Sequence, residues 1–343
     1  MKRFLYLSIL SILICSTTKI EAQNFDNAGE YMEYISKQRE NTSKKFMSYA
    51  SASAHGKRAR KVEKLRNKLM QEVEETKMNI AAMPAFKGNK AYRDTAVSFM
   101  KLYYNVLNDD YSKIVNMEEI AEQSYDAMEA FMLVKEAVDK KLEEGNEKLK
   151  KAQEKFAAEN NIRLVDGTSK LGDMMDQMHK MNKYYKVLYL YFFKPYKQET
   201  YLQEAVGKGN LTGIEQNKNS LLKYAQDGLE KAKTAGSFDG DNSIVVSLNA
   251  MLKFYVKEAG MMNATSDYLL TKERFEKIKK EFDKKSDHSK AEVDEYNKAV
   301  SDMNKSVNVS NDNNNNLNKM RADALNDWNK TVNSFFDEHT PHY

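Results

Sequence analysis

Cysteine is almost missing from this chain of 343 residues, since Cys15 is the only one. An intramolecular disulfide is therefore impossible, and the chain beyond Cys15 has no thiol for catalysis or metal binding. Proline and glycine are also scarce, with three and thirteen residues respectively. Both residues interrupt helices, and the strand-forming residues Val, Ile and Thr seldom stand together. The sequence therefore predicts an all-α fold that packing alone stabilises.

Neither sign of charge dominates the sequence, whose formal net charge is +4. Residues 1–22 contribute two of these charges, because they contain three cations and one anion. Lysine and glutamate are interspersed along the rest of the chain and do not form blocks. Nucleic-acid binding needs a concentrated basic face. The sequence therefore predicts no nucleic-acid partner.

Motifs of several common enzyme classes are missing too, including GxSxG, HExxH, the P-loop and GxGxxG. One partial motif is present, because Ser98 and Lys101 have the SxxK spacing of penicillin-recognising enzymes. The SDN and KTG elements that accompany SxxK are missing. In the internal repeat described below, Ser98 is replaced by Ala250. The sequence predicts a non-enzymatic protein that needs no cofactor.

The N-terminus has the pattern of a secretion signal. Lys2 and Arg3 precede an apolar run over residues 4–14, which is too short to span a bilayer permanently. Cleavage after Ala22 would suit signal peptidase, which needs a small residue at that position. Residues 1–22 are therefore predicted to be a signal peptide, and the protein to be exported.

Cys15 leaves two alternatives for membrane attachment. It is either an incidental residue of the leader or the lipidated cysteine of a bacterial lipoprotein. Ile14 stands where the lipoprotein pattern needs Gly, Ala or Ser, which favours soluble secretion. A lipid anchor at Cys15 is the only membrane contact that the sequence suggests.

The clearest feature of the chain is an internal repeat. Residues 86–89 and 101–103 recur as residues 238–241 and 253–255, at a constant separation of 152 positions. A repeat of this size indicates two copies of one structural unit. Further pairs expected at the same separation are Leu69 with Leu221, Tyr49 with Tyr201 and Ile35 with Val187.

Apolar residues follow helical periodicity throughout both copies. The pattern predicts about four helices in each copy, including one long helix over residues 118–160, and short loops that make neighbours antiparallel. We therefore expect two tandem four-helix-bundle-like repeats, residues 26–165 and 172–310, followed by an additional C-terminal helix over residues 315–337.

Two local features qualify this prediction. Residues 308–318 are rich in asparagine, which favours a mobile loop ahead of the C-terminal helix, with a frayed helix as the alternative. Pro195 stands inside an apolar run, where it is expected to end or kink its helix.

The repeated turn is the first candidate site. Gly88 and Gly240 are expected to supply a positive φ. Asn89, and in the second copy Asp241 or Asn242, would cap the next helix, while Phe86 and Phe238 would hold the turn against the end of the bundle. The alternative is a ligand site at the tip of the bundle.

A methionine cluster is the second candidate. Met174, Met178 and Met181 share one helical face, and His179 lies about 100° around the helix from Met178. Methionine and histidine are ligands for Cu(I) and Ag(I) in exported proteins, but methionine at helical spacing is more often core. His339 and His342 form an HxxH pair near the C-terminus that would collect a metal adventitiously at most.

Residues 86–89, 99–104 and 151–161 resemble an uncharacterised family of exported helical surface proteins from diderm bacteria, some of them lipoproteins. The resemblance implies a location in the periplasm or on the outer-membrane surface, and it implies no activity. We therefore expect a non-enzymatic protein that binds or scaffolds an envelope component or another protein. The alternative is a periplasmic protein that binds a small ligand or a soft metal (Cu or Ag).

Overall fold

The computed structural model describes residues 25–55, 59–110, 121–165 and 169–343. The predicted all-α fold is confirmed, because these residues form α-helices and contain no strand beyond one isolated bridge in each of two turns. The predicted signal peptide and Cys15 lie outside the described residues. The helices are α1 (Ala28–Ala54), α2 (Ala59–Ala81), α3 (Ala91–Asn105), α4 (Tyr125–Glu159), α5 (Lys170–Gly207), α6 (Leu211–Ala232), α7 (Ser243–Phe282) and α8 (Lys290–His339).

Side-chain caps explain where many of the helices begin. In each case a side-chain oxygen accepts a hydrogen bond from a backbone N–H in the first turn, which stabilises a helix by about 1 kcal/mol. Ser289 forms a complete capping box with Glu292 at the start of α8. The residues that cap α1, α4, α5, α6 and α8 are Asn27, Ser124, Ser169, Asn210 and Ser289.

Helices that are consecutive in sequence pack against one another and build two cores. The first core lies among α1–α4, and the second, larger one lies among α5–α8. Helix α4 serves both, because Leu149 and Phe156 lie in the first core while Met128 and Phe131 lie in the second. The two copies are therefore joined by a shared helix as well as by their linker. The division at residues 165 and 172 stays a prediction.

The repeat is real in structure, but its register differs from the prediction in one helix. Leu69 and Leu221 are both fully buried, as expected. The predicted pairing of Ile35 with Val187 and of Tyr49 with Tyr201 is wrong, because Val187 and Tyr201 are 42% and 38% exposed. The buried equivalents are Leu188 and Leu202, one position further along. Helix α5 ends one position later than the separation of 152 predicts from the end of α1, whereas α6 begins at the predicted position, so the register is restored from α6 onwards.

The copies diverge after the repeated turn. Helix α3 ends at Asn105 and continues into a short π-helical turn, Val106–Asp110, whereas its counterpart α7 runs for 40 residues. Helix α8, at 50 residues, packs along α7. At the far end of this pair the Phe282 ring stacks on His288 and on Tyr296.

The predicted loop at residues 308–318 is wrong, because these residues lie inside α8. The predicted helix 315–337 is the C-terminal part of the same helix. Packing against α7 overrides the low helix propensity of asparagine. Leu317 and Ser310 are buried, and the Asn313 side chain donates a hydrogen bond to the Met261 carbonyl at 2.8 Å.

Pro195 does not end its helix, since α5 continues beyond it to Gly207. A proline removes one backbone hydrogen bond, and here the surrounding packing compensates. Pro195 is itself buried, next to Phe192 and Phe193 in the second core. None of the described helices is both long enough and apolar enough to cross a membrane.

Candidate functional site

The repeated turn has the same backbone in both copies. Gly88 and Gly240 have φ angles of 81° and 88°, and the residue before each has a φ of 48°. Two backbone hydrogen bonds of 2.8–3.1 Å close each turn, between residues 86 and 89 and between residues 238 and 241. Positive φ at both central positions defines a type I′ turn, in which glycine relieves backbone strain. The predicted role of the two glycines is confirmed.

The residue that ends each turn also caps the next helix. An Asn89 side-chain oxygen accepts the Ala91 N–H at 2.8 Å, and an Asp241 oxygen accepts the Ser243 N–H at 2.7 Å. Asn242, the other predicted cap, makes no cap hydrogen bond. Local geometry is thus conserved between the copies, although one uses an amide and the other a carboxylate.

Aromatic side chains hold each turn against the end of its bundle. Phe86 and Phe238 are buried, as predicted. A tyrosine from the first helix of each copy hydrogen bonds to the turn, because Tyr31 donates to the Pro84 carbonyl at 3.1 Å and Tyr184 donates to the Gly236 carbonyl at 2.9 Å. The repeat therefore includes a hydroxyl contact that the linear comparison missed.

A phenylalanine near the end of the fourth helix completes each tip. Phe156 packs on Phe86 at 5.6 Å, and Phe335 packs on Phe238 at 5.7 Å, measured between ring centroids. These two phenylalanines fix the correspondence between α4 and α8. Counted from them, Asn160 corresponds to His339.

The two tips carry different chemistry where the end of the fourth helix meets the turn. In the first copy Asn89 donates to a Glu159 oxygen at 3.0 Å. In the second copy the His339 Nε2 atom lies 2.9 Å from an Asp241 oxygen, and His339 is only 8% exposed. Burial opposes the ionisation of Asp241, but hydrogen bonds from Ser243 and His339 outweigh it and lower the pKa of Asp241. Only the second tip therefore pairs a carboxylate with an imidazole.

An open depression of about 590 Å³ lies beside this pair. The ionisable side chains that line it are mostly acidic, and three hydroxyl-bearing residues add hydrogen-bonding groups. The lining residues with ionisable groups are Asp239, Asp241, Asp327, Glu338, Lys330 and His339.

The equivalent surface of the first copy has the opposite charge. Lys87 stands in the position of Asp239, and Lys148 stands in the position of Asp327. Both lysines are exposed, so they do not take part in a core. The two copies share a scaffold, whereas the charge at their tips has been reversed.

A second cluster lies at the same end of α8, where it meets the end of α1. The His55 Nδ1 atom is 2.7 Å from an Asp337 oxygen, and the His342 ring stacks on the His55 ring with centroids 4.1 Å apart. The predicted HxxH pair is thereby separated, because His339 contacts Asp241 while His342 contacts His55.

A third polar cluster is buried in the middle of the second bundle. Arg321 pairs with Glu199 and with Glu258, both of which are buried. Gln203 donates a hydrogen bond to Glu258 at 2.9 Å. Burial and then the neighbouring Glu199 carboxylate raise the pKa of Glu258 to about 8, although Arg321 opposes the shift. This raised pKa favours the protonated form of Glu258 at neutral pH.

The predicted methionine site is divided between two clusters. Met174 and Met178 pack with Met47 of α1, whereas Met181 lies in the second core and its sulfur accepts a hydrogen bond from Thr340 at 3.4 Å. His179 is exposed. Soft-metal binding by Met174, Met178, Met181 and His179 stays a prediction.

Sequence reasoning missed the histidine pairs and the buried cluster. One signal in the sequence was the difference between Asn89 and Asp241, which stand at the same place in an otherwise matched turn. Glu199 and Arg321 were another, because each stands among apolar residues at helical spacing.

Comparisons with protein-family models, curated proteins and solved structures found no match to the chain.

Proposed function

We propose that this chain is an exported, non-enzymatic helical protein of the periplasm or outer-membrane surface of a diderm bacterium, and that it acts by binding a partner. The observation that carries the binding role is the charge reversal between two tips of the same geometry, while export rests on the pattern of residues 1–22. Packing requires the shared glycines and aromatics of these tips. It does not require Asp239 and Asp327 where the other copy has Lys87 and Lys148.

The second tip is suited to a cationic partner. Its depression is open, is lined by four carboxylates against one lysine, and offers hydroxyl groups for hydrogen bonding. Exposed charges of one sign attract the opposite charge over roughly 10 Å at moderate ionic strength and set specificity. A lysine-rich segment of an envelope protein has the required chemistry.

The geometry at Ser98 supports a non-enzymatic role. The Ser98 hydroxyl donates to the Asp94 carbonyl of its own helix at 2.8 Å, and Ser98 itself is exposed. A nucleophilic serine instead needs a general base within hydrogen-bonding distance. The SxxK match therefore reflects a surface-exposed serine and lysine on α3.

Export is tested by expressing the full chain in a diderm host and fractionating the cells. We expect the protein in the periplasmic or outer-membrane fraction, with a mature N-terminus at Gln23. Palmitate labelling of the wild type and of Cys15→Ala then decides the anchor. Retention of residues 1–22 in a cytosolic product would contradict export.

Binding is tested with a lysine-rich peptide and a neutral peptide of equal length, by calorimetric titration at low and moderate salt. The double variant Asp239→Lys, Asp327→Lys gives the second tip the residues that the first tip carries, so folding should be kept. We expect it to lose at least tenfold in affinity, while Asp302→Lys, an exposed site elsewhere on α8, binds as the wild type. Equal binding of both peptides would contradict the proposal.

The soft-metal alternative retains one favourable observation. Met47 joins Met174, Met175 and Met178 in one small cluster between α1 and α5, and thioethers select Cu(I). Copper found by elemental analysis of the purified protein, and lost in Met178→Leu, would support this alternative over peptide binding.

A further inference from the structure

We propose that His55, Asp337 and His342 form a binding site for a divalent transition-metal ion of the zinc class. The site lies where the end of α1 in the first copy meets the end of α8 in the second. It is separate from the acidic depression, so it does not depend on the proposed partner binding.

The donor atoms are already close to a metal-binding arrangement. One ligand atom from each of the three side chains lies within 4.8 Å of the other two. Ligands of a tetrahedral zinc ion at about 2.0–2.1 Å from the metal are roughly 3.4 Å apart. An imidazole binds a metal in the plane of its ring, so closing the site requires the His342 ring to turn out of its parallel stack on His55. His342 is free to turn because α8 ends at His339 and the residues that follow are not helical.

His55 is the buried member of the cluster, with a side chain that is only 6% exposed. Asp337 lies 2.7 Å from its Nδ1 atom, so Nδ1 is the atom of His55 that faces the other two side chains. Its Nε2 atom is buried without a hydrogen-bond partner among the described residues, and an unsatisfied buried polar atom normally destabilises the folded state. An ion bound at Nδ1 would offset part of the cost of burying this imidazole.

The donor set selects the class of ion. Two imidazoles and one carboxylate suit zinc and its neighbours, whereas calcium and magnesium prefer oxygen ligands alone. Asp337 and His342 are exposed, which leaves a fourth position open to water. The nearby cluster of Asp241, Glu338 and His339 has one imidazole only, and that imidazole already contacts Asp241.

Such an ion would connect the two copies directly. His55 lies 282 positions before Asp337 in the chain, and α1 otherwise makes few contacts with the second bundle. Metal binding would thus add a link between the two copies at the junction of α1, α5 and α8. A ligand that binds only the folded state raises the unfolding temperature.

The test is a zinc titration of the metal-free full chain against a chromophoric chelator. We expect one saturable zinc ion per chain, and calcium should not compete for it. His55→Ala, His342→Ala and Asp337→Asn should each lower zinc affinity at least tenfold. His288→Ala is the matched control, because His288 stacks on Phe282 at the junction of α7 and α8, outside the cluster.

Thermal unfolding gives a second readout. Zinc should raise the unfolding temperature of the wild type and of His288→Ala but not of His342→Ala, which changes a residue outside the helices. No saturable binding, or binding that survives both His55→Ala and His342→Ala, would overturn the proposal. The Asp239→Lys, Asp327→Lys variant should keep its zinc affinity, which separates this result from the peptide-binding test.

Discussion

The buried cluster of Glu199, Glu258 and Arg321 should make the stability of the second bundle depend on pH in a predictable direction. The pKa of Glu258 is raised from 4.5 to about 8 in the folded protein, chiefly by burial. Between these pH values the folded state holds a proton that the unfolded state has released. The stabilisation is therefore complete below pH 4.5 and is lost as pH rises towards 8.

The size of the effect follows from the same linkage. While the folded state holds one extra proton, the free energy of unfolding falls by about 1.4 kcal/mol for each pH unit. Replacing Glu258 with Gln removes this dependence, because an amide stays neutral. Its oxygen can still accept hydrogen bonds from Arg321 and Gln203, so we expect Glu258→Gln to equal or exceed the wild-type stability at pH 8.

The assay is urea unfolding of the wild type and of Glu258→Gln at four pH values from 5 to 8. Far-UV circular dichroism follows the whole chain. Trp328 fluorescence reports on the second bundle, since this sole tryptophan is buried and stacks on Phe192 at 4.6 Å. The other titrating groups are common to both proteins, so the difference between the two pH profiles isolates Glu258. Equal slopes for the two proteins would refute the reasoning.

A second pair of variants tests the charge balance. Glu199→Gln removes a neighbour that raises the pKa of Glu258, so we expect Glu258 to ionise more readily and to keep Arg321 paired, and the loss of stability should be small. In the double variant Glu199→Gln, Glu258→Gln, Arg321 has no anionic partner in the cluster. Breaking a buried ion pair in this way costs about 3–5 kcal/mol. Additive single effects would contradict this account.

Three further predictions concern the scaffold and are checked by urea unfolding. Tyr31→Phe and Tyr184→Phe should each cost about 1 kcal/mol, because each removes one hydrogen bond to a turn carbonyl; a cost in one copy and none in the other would contradict the equivalence of the two turns. Gly240→Ala should cost about 1–2 kcal/mol, since its φ is 88°. Gly260→Ala should stabilise the protein by about 0.5–1 kcal/mol, because nothing lies within 4 Å of the new methyl group. Gly145→Ala should give no gain, because its methyl group would meet a Leu102 carbon at 2.6 Å. Equal effects of the two substitutions would contradict the close approach of Leu102 to Gly145.

Helical elements were predictable because their signals are local. The scarcity of proline and glycine, the apolar spacing and the turn residues locate most helix boundaries. The asparagine-rich residues 308–318 were the main error. Propensity disfavoured a helix there, and only the packing of Ser310 and Leu317 against α7 reverses that preference.

The candidate sites depended on long-range geometry. Asp241 was visible as the residue that differs from Asn89 in the matched turn. Its partner His339 was not, because α4 and α8 have different lengths and the separation of 152 positions that relates the two turns does not relate the ends of these helices. Only the contacts of Phe156 and Phe335 with the two turns establish that correspondence.

The sequence by itself determined the class of fold, the duplicated turn and its glycine requirement, because backbone strain and apolar periodicity act over a few residues. The tertiary structure alone decided which ionisable groups meet. Asp241 and His339 are 98 positions apart, and His55 and Asp337 are 282 positions apart. Such pairs form only when the packing of several helices brings residues that are distant in sequence to the same place, and no local pattern in the chain encodes that packing.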